Sequence, residues 1–167
     1  MPDAVISTVT GGPDLDTVRE MLAEYGADVS RAYCLKGFDA ELAGLPGAYG
    51  PPRGCLLLLR ADGTAAGAVG IRALSEDRAE MKRLYVRPVW QGQGFGRALA
   101  GAAVDHACAT GFRALCLDTL AHMKDAQALY RAMGFAEIAA YHGYTAPGMR
   151  FMELTLSAEG AGSPRKS

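Results

Sequence analysis

The chain is short of the features that mark specialised classes of protein. No apolar run approaches the ~20 residues needed to cross a bilayer. The opening stretch MPDAVISTVTGGPDLD has neither the basic start nor the apolar segment of a secretory leader, so neither membrane insertion nor secretion is expected. Only four cysteines occur, Cys34, Cys55, Cys108 and Cys116, and no two stand at the spacing of zinc knuckles or redox pairs. No metal and no disulfide framework are expected, and free thiols suit a reducing cytoplasm. Cys55 and Cys116 lie in apolar runs, where a cysteine behaves as a small hydrophobe. Charge of one sign is also missing: 17 Lys and Arg face 18 Asp and Glu, a formal net charge of -1. The field that nucleic-acid binders use to displace counterions from phosphates is therefore absent, and nucleic acid is not expected as a partner.

What is present is enough for a core without staples. Half the residues are hydrophobic and 21% are charged, and at this length folding buries roughly 70% of the surface that an unfolded chain exposes. There is no internal repeat and no linker rich in Pro, Gly or Ser. One domain is expected over residues 1–156, followed by a small, polar, mobile tail at 157–167.

The periodicities give an order of elements. Ala4 to Val9 reads as a strand closed by Gly11-Gly12-Pro13. Asp14 can cap a helix whose apolar face is Leu15, Val18, Met21, Leu22 and Tyr25. A short helical piece follows at Phe38 to Ala43, and Pro and Gly then keep the chain in a loop. Cys55 to Leu59 and Ala65 to Leu74 form a hairpin about Ala61-Asp62-Gly63. In a third strand, Glu80 to Val86, alternation places Glu80, Lys82, Leu84 and Val86 on one face and Met81, Arg83 and Tyr85 on the other. A helix carrying Phe95, Leu99, Ala102, Ala103 and His106 runs to Gly111. A strand at Leu115 to Leu117, a helix with Ala126, Leu129, Tyr130 and Met133, and closing strands at Phe135 to Tyr141 and Phe151 to Leu156 complete the chain. This order predicts an α+β fold, a three-layer α/β/α sandwich with a mixed, mostly antiparallel sheet flanked by helices.

Between the third strand and the following helix lies Gln91-Gly92-Gln93-Gly94-Phe95-Gly96-Arg97. A helix N-terminus offers N–H groups without partners and a partial positive charge, and glycines let an anion approach that backbone. The dinucleotide fingerprint would need glycine where Arg97 stands, and the P-loop pattern is absent. The segment does match [RQ]-x-x-G-x-[GA], and here the chain resembles the GNAT family of N-acetyltransferases. Ala126-Gln-Ala-Leu-Tyr130-Arg-Ala-Met-Gly134-Phe135 is similar to the family's second signature, and Glu80-Met-Lys-Arg-Leu-Tyr-Val86 to its fourth strand. The resemblance runs over residues 3 to 156.

The resemblance implies acetyl-CoA as co-substrate. Its diphosphate is assigned to Gln91, Gly92, Gln93, Gly94, Phe95, Gly96 and Arg97, its pantetheine arm to the backbone of Leu84, Tyr85 and Val86, and further contacts to Ala126 and Tyr130. A backbone N–H aimed at the thioester oxygen would stabilise the charge that develops there. Tyr130 is implied near the departing sulfur. A phenol near pKa ~10 facing a thiol near ~8.5 makes full proton transfer uphill by about 2 kcal/mol, so hydrogen-bond stabilisation of the thiolate is the expected role.

The acceptor amine must lose a proton, and Glu80 is the candidate base, through a relay or a raised pKa. Alternatively, Glu80 solvates an edge or pairs with Lys82. His122 and His142 are alternative bases. Where many relatives carry an asparagine after the fifth strand, this chain reads Leu117-Asp118-Thr119-Leu120-Ala121-His122, and no role is transferred there, although Thr119 could make a polar contact. The expected acceptor is a small-molecule primary amine attacked directly, with substrate contacts in the Tyr25 to Gly54 and His142 to Met149 regions. A non-catalytic acyl-CoA sensor and an enzyme acting on a protein amine are the alternatives. Homodimers are common in the family and compatible with this sequence.

Overall fold

The computed structural model describes residues 2–28, 37–143 and 146–157; Cys34 and the tail beyond 157 lie outside them. The elements are β1 (Ala4–Thr8), α1 (Gly12–Ala27), α2 (Phe38–Ala43), β2 (Cys55–Ala61), β3 (Thr64–Ala73), β4 (Arg78–Val86), α3 (Phe95–Thr110), β5 (Ala114–Leu120), α4 (Lys124–Ala132), β6 (Ala136–Ile138) and β7 (Met149–Thr155). Among the described residues, seven strands hydrogen-bond in the order β1-β2-β3-β4-β5-β7-β6. The β4–β5 pair is parallel, and β1–β2, β2–β3, β5–β7 and β6–β7 are antiparallel. The α+β fold with a mixed sheet and flanking helices is the one the sequence predicts. The chain forms two compact units, Met1–Arg72 with Met81–Ala103, and Ala73–Glu80 with Val104–Ser167.

In the first unit, Leu15, Val18, Met21 and Leu22 recur at helical spacing and are the buried face of α1. They share a core with Leu56 and Leu58 of β2, Ala68 of β3, and Phe38, Tyr49 and Tyr85. The helix starts earlier than expected. Pro13 suits the first helical turn, so Gly11 is the N-cap and Asp14 falls inside that turn, where it pairs with Arg60 at 2.5 Å instead of capping. Strand β2 is buried at every position except Arg60. The β2–β3 turn has positive φ at both Asp62 (49°) and Gly63 (80°), the handedness that matches strand twist in a two-residue hairpin. Within β4, Arg83 has φ 60°. Burial nevertheless alternates from Met81 to Val86, with Met81, Arg83 and Tyr85 buried and Lys82, Leu84 and Val86 half-buried; Ala79, Glu80 and Met81 are all buried, so Glu80 departs from the expected face of Leu84.

In the second unit, Leu115, Cys116 and Leu117 of β5 are 0–1% exposed. Parallel pairing sets Glu80 of β4 opposite Cys116, and antiparallel pairing sets Asp118 opposite Phe151 of β7. The last hairpin departs from expectation: β6 ends at Ile138, not Tyr141. The Tyr141 and His142 rings instead pack edge-on against Phe151, with centroids 5.2 and 4.9 Å away. Polar attachments of both side chains, described below, compete with continued strand pairing.

Candidate active site

In the first unit, β4 leads through a 3-10 turn, Pro88–Trp90, into the glycine segment. Gly92 and Gly94 have φ of 79° and 85°, and a Cβ built on either would meet no atom within 4 Å. The two glycines thus supply left-handed backbone that opens on free space. The Gln91 amide donates to the Val86 carbonyl at 2.9 Å, so this side chain braces the loop against the strand end. Phe95 is 6% exposed and lies 6.0 Å from the Trp90 ring, which leaves only its backbone for a ligand. Ala98 N–H bonds the Gly94 carbonyl at 3.0 Å. Gly94 is therefore the helix boundary, and helix geometry leaves the N–H groups of Phe95, Gly96 and Arg97 without intrahelical acceptors. Gln93 is half-buried and Arg97 exposed. Together these groups fit an anion with several acceptor oxygens.

The strand end beside the loop is firmly held. Leu84 and Val86 are half-buried, while Tyr85 turns inward and its hydroxyl donates to Glu24 at 3.1 Å. Arg87 forks onto the same carboxylate at 2.7 and 3.0 Å, and its N–H bonds the Ala66 carbonyl at 2.8 Å. The Arg87 hydrogen bond, opposed by burial and aided by Tyr85, holds Glu24 below the usual carboxylate range. Glu24 and Arg87 escaped the sequence reading, since nothing local joins residues 63 positions apart.

A second cluster lies in the region expected to meet the acceptor. Buried Arg83 donates to Glu41 at 2.8 and 3.2 Å and sits over the Phe38 ring at 4.9 Å, and the Tyr49 hydroxyl also donates to Glu41 at 3.2 Å. A cavity of about 290 Å³ adjoins them, lined by Glu41, Leu45, Pro46, Tyr49 and Arg72 among others.

In the second unit, Glu80 is fully buried, at 0% exposure, and accepts a hydrogen bond of 2.5 Å from the Tyr141 hydroxyl. The expectation that it might solvate an edge is thereby overturned. Burial, then the charge and hydrogen bond of Glu80, push the Tyr141 hydroxyl far above its ordinary value. His142 Nε2 lies 2.9 Å from Asp118 Oδ2, and side-chain atoms of Glu80, Asp118 and His142 lie within 4.8 Å of one another. A metal-ligating histidine has its second ring nitrogen pinned by an acceptor. The Asp118 carboxylate pins Nε2 in this way, and His142 Nδ1 is buried without a hydrogen-bond partner among the described residues, so its second nitrogen is open to a proton or a metal ion. His122, the other alternative base, is exposed.

Tyr130 is 7% exposed and stacks at 5.7 Å on Phe135, the last residue of the second signature. Ala126 is half-buried one turn earlier. The signature hides a further residue: Gln127 is buried and its amide donates to the carbonyls of Leu120 and Ala121 at 2.8 and 3.2 Å, tying α4 to the end of β5. Thr119 is buried with its hydroxyl 3.9 Å from Met123 Sδ. Cys116 reads as core; burial first, then its bond to Glu153, push the thiol up to about 12.

The acetyltransferase (GNAT) family model matches residues 18–135. An uncharacterized N-acetyltransferase of Schizosaccharomyces pombe is 33% identical over 154 residues, 91% of this chain and 94% of that protein. Human N-acetylaspartate synthetase is 32% identical over 127 residues, 75% of this chain and 42% of that protein. In fold, the chain resembles the ribosomal-protein-S18-alanine N-acetyltransferase of Escherichia coli, with a TM-score of 0.68 at 24% identity over 93% of this chain and 95% of that one. No described helix is long and apolar enough to cross a membrane. With the glycine loop, the second signature and a family match through both units, the chain belongs to the GNAT acetyltransferase family and is an acetyl-CoA-dependent N-acetyltransferase.

Proposed function

We propose that the enzyme moves the acetyl group of acetyl-CoA directly to the primary amine of a small molecule, without a covalent enzyme intermediate. The observation that carries this reading is the bare, left-handed backbone at Gly92 and Gly94 opening into free space at the start of α3. The diphosphate is assigned to the backbone of 91–97, the pantetheine arm to 84–86, and further contacts to Ala126 and Tyr130. Acetyl-CoA supplies the activated acyl group. Tyr130 steadies the departing sulfur through a hydrogen bond, and Glu80 takes the proton that the amine must lose. The likeness to N-acetylaspartate synthetase makes amino acids the first acceptors to try. Residues 1–156 are read as one catalytic domain, supported by a family match that runs through both units. The free thiols Cys55, Cys108 and Cys116 support a cytoplasmic setting.

The test is thiol release from acetyl-CoA against a panel of amines, amino acids and peptides. Release with a small amine supports the proposal. Measurable acetyl-CoA binding with silence across the panel would make the chain a sensor, and release with peptides alone would move the acceptor to a protein. Tyr130→Phe should lower turnover with acetyl-CoA affinity nearly unchanged; full turnover would leave Tyr130 a packing residue.

A further inference from the structure

A fully buried carboxylate is a costly thing to ionise, and a base must be ionised to accept a proton. Glu80 stands at the paired end of β4, and what the fold brings to it is a phenol from 61 residues away. Tyr141 is set there by three contacts: its ring packs on Phe151 at 5.2 Å and on His142 at 5.2 Å, and the Arg78 guanidinium lies 5.5 Å from its centroid. Phe151 is itself fixed in β7 opposite Asp118. The hairpin gives up strand pairing after Ile138, and Tyr141 makes these contacts three residues beyond.

We propose that Tyr141 is a positioning residue for deprotonation of the acceptor: its hydroxyl donates to Glu80 Oε2, holding the buried carboxylate ionised and oriented to take the amine's proton. This rests on the reading of Glu80 as the base. When an ammonium R–NH₃⁺ becomes an acetamide it gives up two protons, one ending on the sulfur of coenzyme A and the other leaving through the base. Glu80 forms the new O–H bond as the N–H bond breaks, and returns to carboxylate when that proton leaves the site. Burial and the neighbouring negative charge keep the phenol protonated, so it donates throughout and does not compete for the proton. The phenol is a neutral donor and itself brings no positive charge to the carboxylate it stabilises.

The charged and titratable groups around the pair set the sign of the test. They include Arg78 on β4, Cys116 and Asp118 on β5, His142 beside Tyr141, and Glu153 on β7, which accepts from Arg78 at 2.7 Å and Cys116 at 3.2 Å. Asp118 disfavours a second negative charge, and Arg78 is engaged with Glu153. Removing the Tyr141 hydroxyl should therefore make Glu80 easier to protonate.

Tyr141→Phe keeps the ring and its packing and deletes the donor. Infrared difference spectra of the full chain, wild type minus Glu80→Gln, isolate the protonated-carboxyl band of Glu80 and need no acceptor. In Tyr141→Phe that band should titrate higher by about one to two pH units, the ten- to hundredfold shift expected for one charge-assisted hydrogen bond. In thiol release with L-aspartate as probe, the acid limb of kcat should move up by the same amount, with the high-pH plateau and the KM for acetyl-CoA retained. A Glu80 band that titrates as in wild type overturns the proposal whatever the kinetics. Wild-type turnover by Glu80→Gln would instead remove Glu80 as the base, and with it the role given to Tyr141.

Discussion

Two glycines at opposite ends of α3 allow the phosphate-loop assignment to be separated from simple backbone strain. Gly94 has φ +85° and Gly111 φ +91°, and a Cβ at either meets nothing within 4 Å. Alanine at either position is forced into a left-handed conformation, which costs about 1–2 kcal/mol with no steric clash to add. For a chain of this size each kcal/mol lowers Tm by about 2–4 °C, so both variants should melt roughly 2–8 °C below wild type. Their acetyl-CoA affinities should diverge. On the proposed loop assignment, the new methyl at Gly94 stands in the space through which a diphosphate oxygen reaches the N–H groups of 95–97. Loss of even one charge-assisted hydrogen bond, about 1.5–3 kcal/mol, weakens Kd at least about tenfold. Gly111→Ala, about 26 Å along the helix by its ~1.5 Å rise per residue, should bind as wild type. Calorimetric titration with acetyl-CoA at fixed salt, beside thermal unfolding, makes the comparison. Equal Kd values for the two variants would refute the loop assignment, because strain alone would then account for everything Gly94 does.

A second glycine pair tests how closely β3 and β4 approach beside that loop. Alanine at Gly67 would place Cβ 2.8 Å from the Tyr85 carbonyl oxygen and 2.9 Å from Leu99, an overpacking worth about 1–3 kcal/mol. Gly101→Ala meets nothing within 4 Å and, in mid-helix, should gain roughly 0.5–1 kcal/mol. Melting temperatures in the reverse order would contradict the packing. The Glu24–Arg87 contact predicts an acid-side effect. The carboxyl of Glu24 is depressed in the folded chain, so its contribution is present above the unfolded carboxylate pKa near ~4.3 and is lost as pH falls through the lower folded value. With 36% of the Glu24 side chain exposed, the contribution is modest. Glu24→Gln should lose less Tm between neutral pH and pH ~3 than wild type does; identical acid slopes would show that the contact is silent.

Local physics made much of this readable in advance. The glycine turn is legible as backbone: Gly92 and Gly94 take the left-handed conformation that glycine permits, and a Cβ at either meets nothing within 4 Å. The β2–β3 hairpin is legible for the same reason at Asp62-Gly63. Where the reading slipped, a neighbour or a distant partner decided. Pro13 moved the start of α1 and turned Asp14 from a cap into a partner for Arg60. The strand period of β4 runs from Met81 to Val86 and fails at Glu80, which is fully buried and accepts from Tyr141, a partner that no alternation rule contains. The apolar stripe of α4 passes over Gln127, which is buried because two carbonyls at the end of β5 accept from it.

The carboxylates show why the candidate base was the hardest residue to read. Glu24, Glu41 and Glu153 are each partly buried, and each meets an arginine: Arg87 at 2.7 Å, Arg83 at 2.8 Å and Arg78 at 2.7 Å. Glu80 is more buried than any of them, yet the short contact it receives comes from a phenol. A guanidinium cancels a carboxylate's charge and so removes most of its tendency to take a proton, which suits a group whose work is to join two elements. A phenol kept neutral by its surroundings stabilises the anion by a hydrogen bond alone and leaves the negative charge in place, as a base requires. All four are glutamates, so residue type does not separate them, and the phenol that donates to Glu80 arrives from beyond the end of β6.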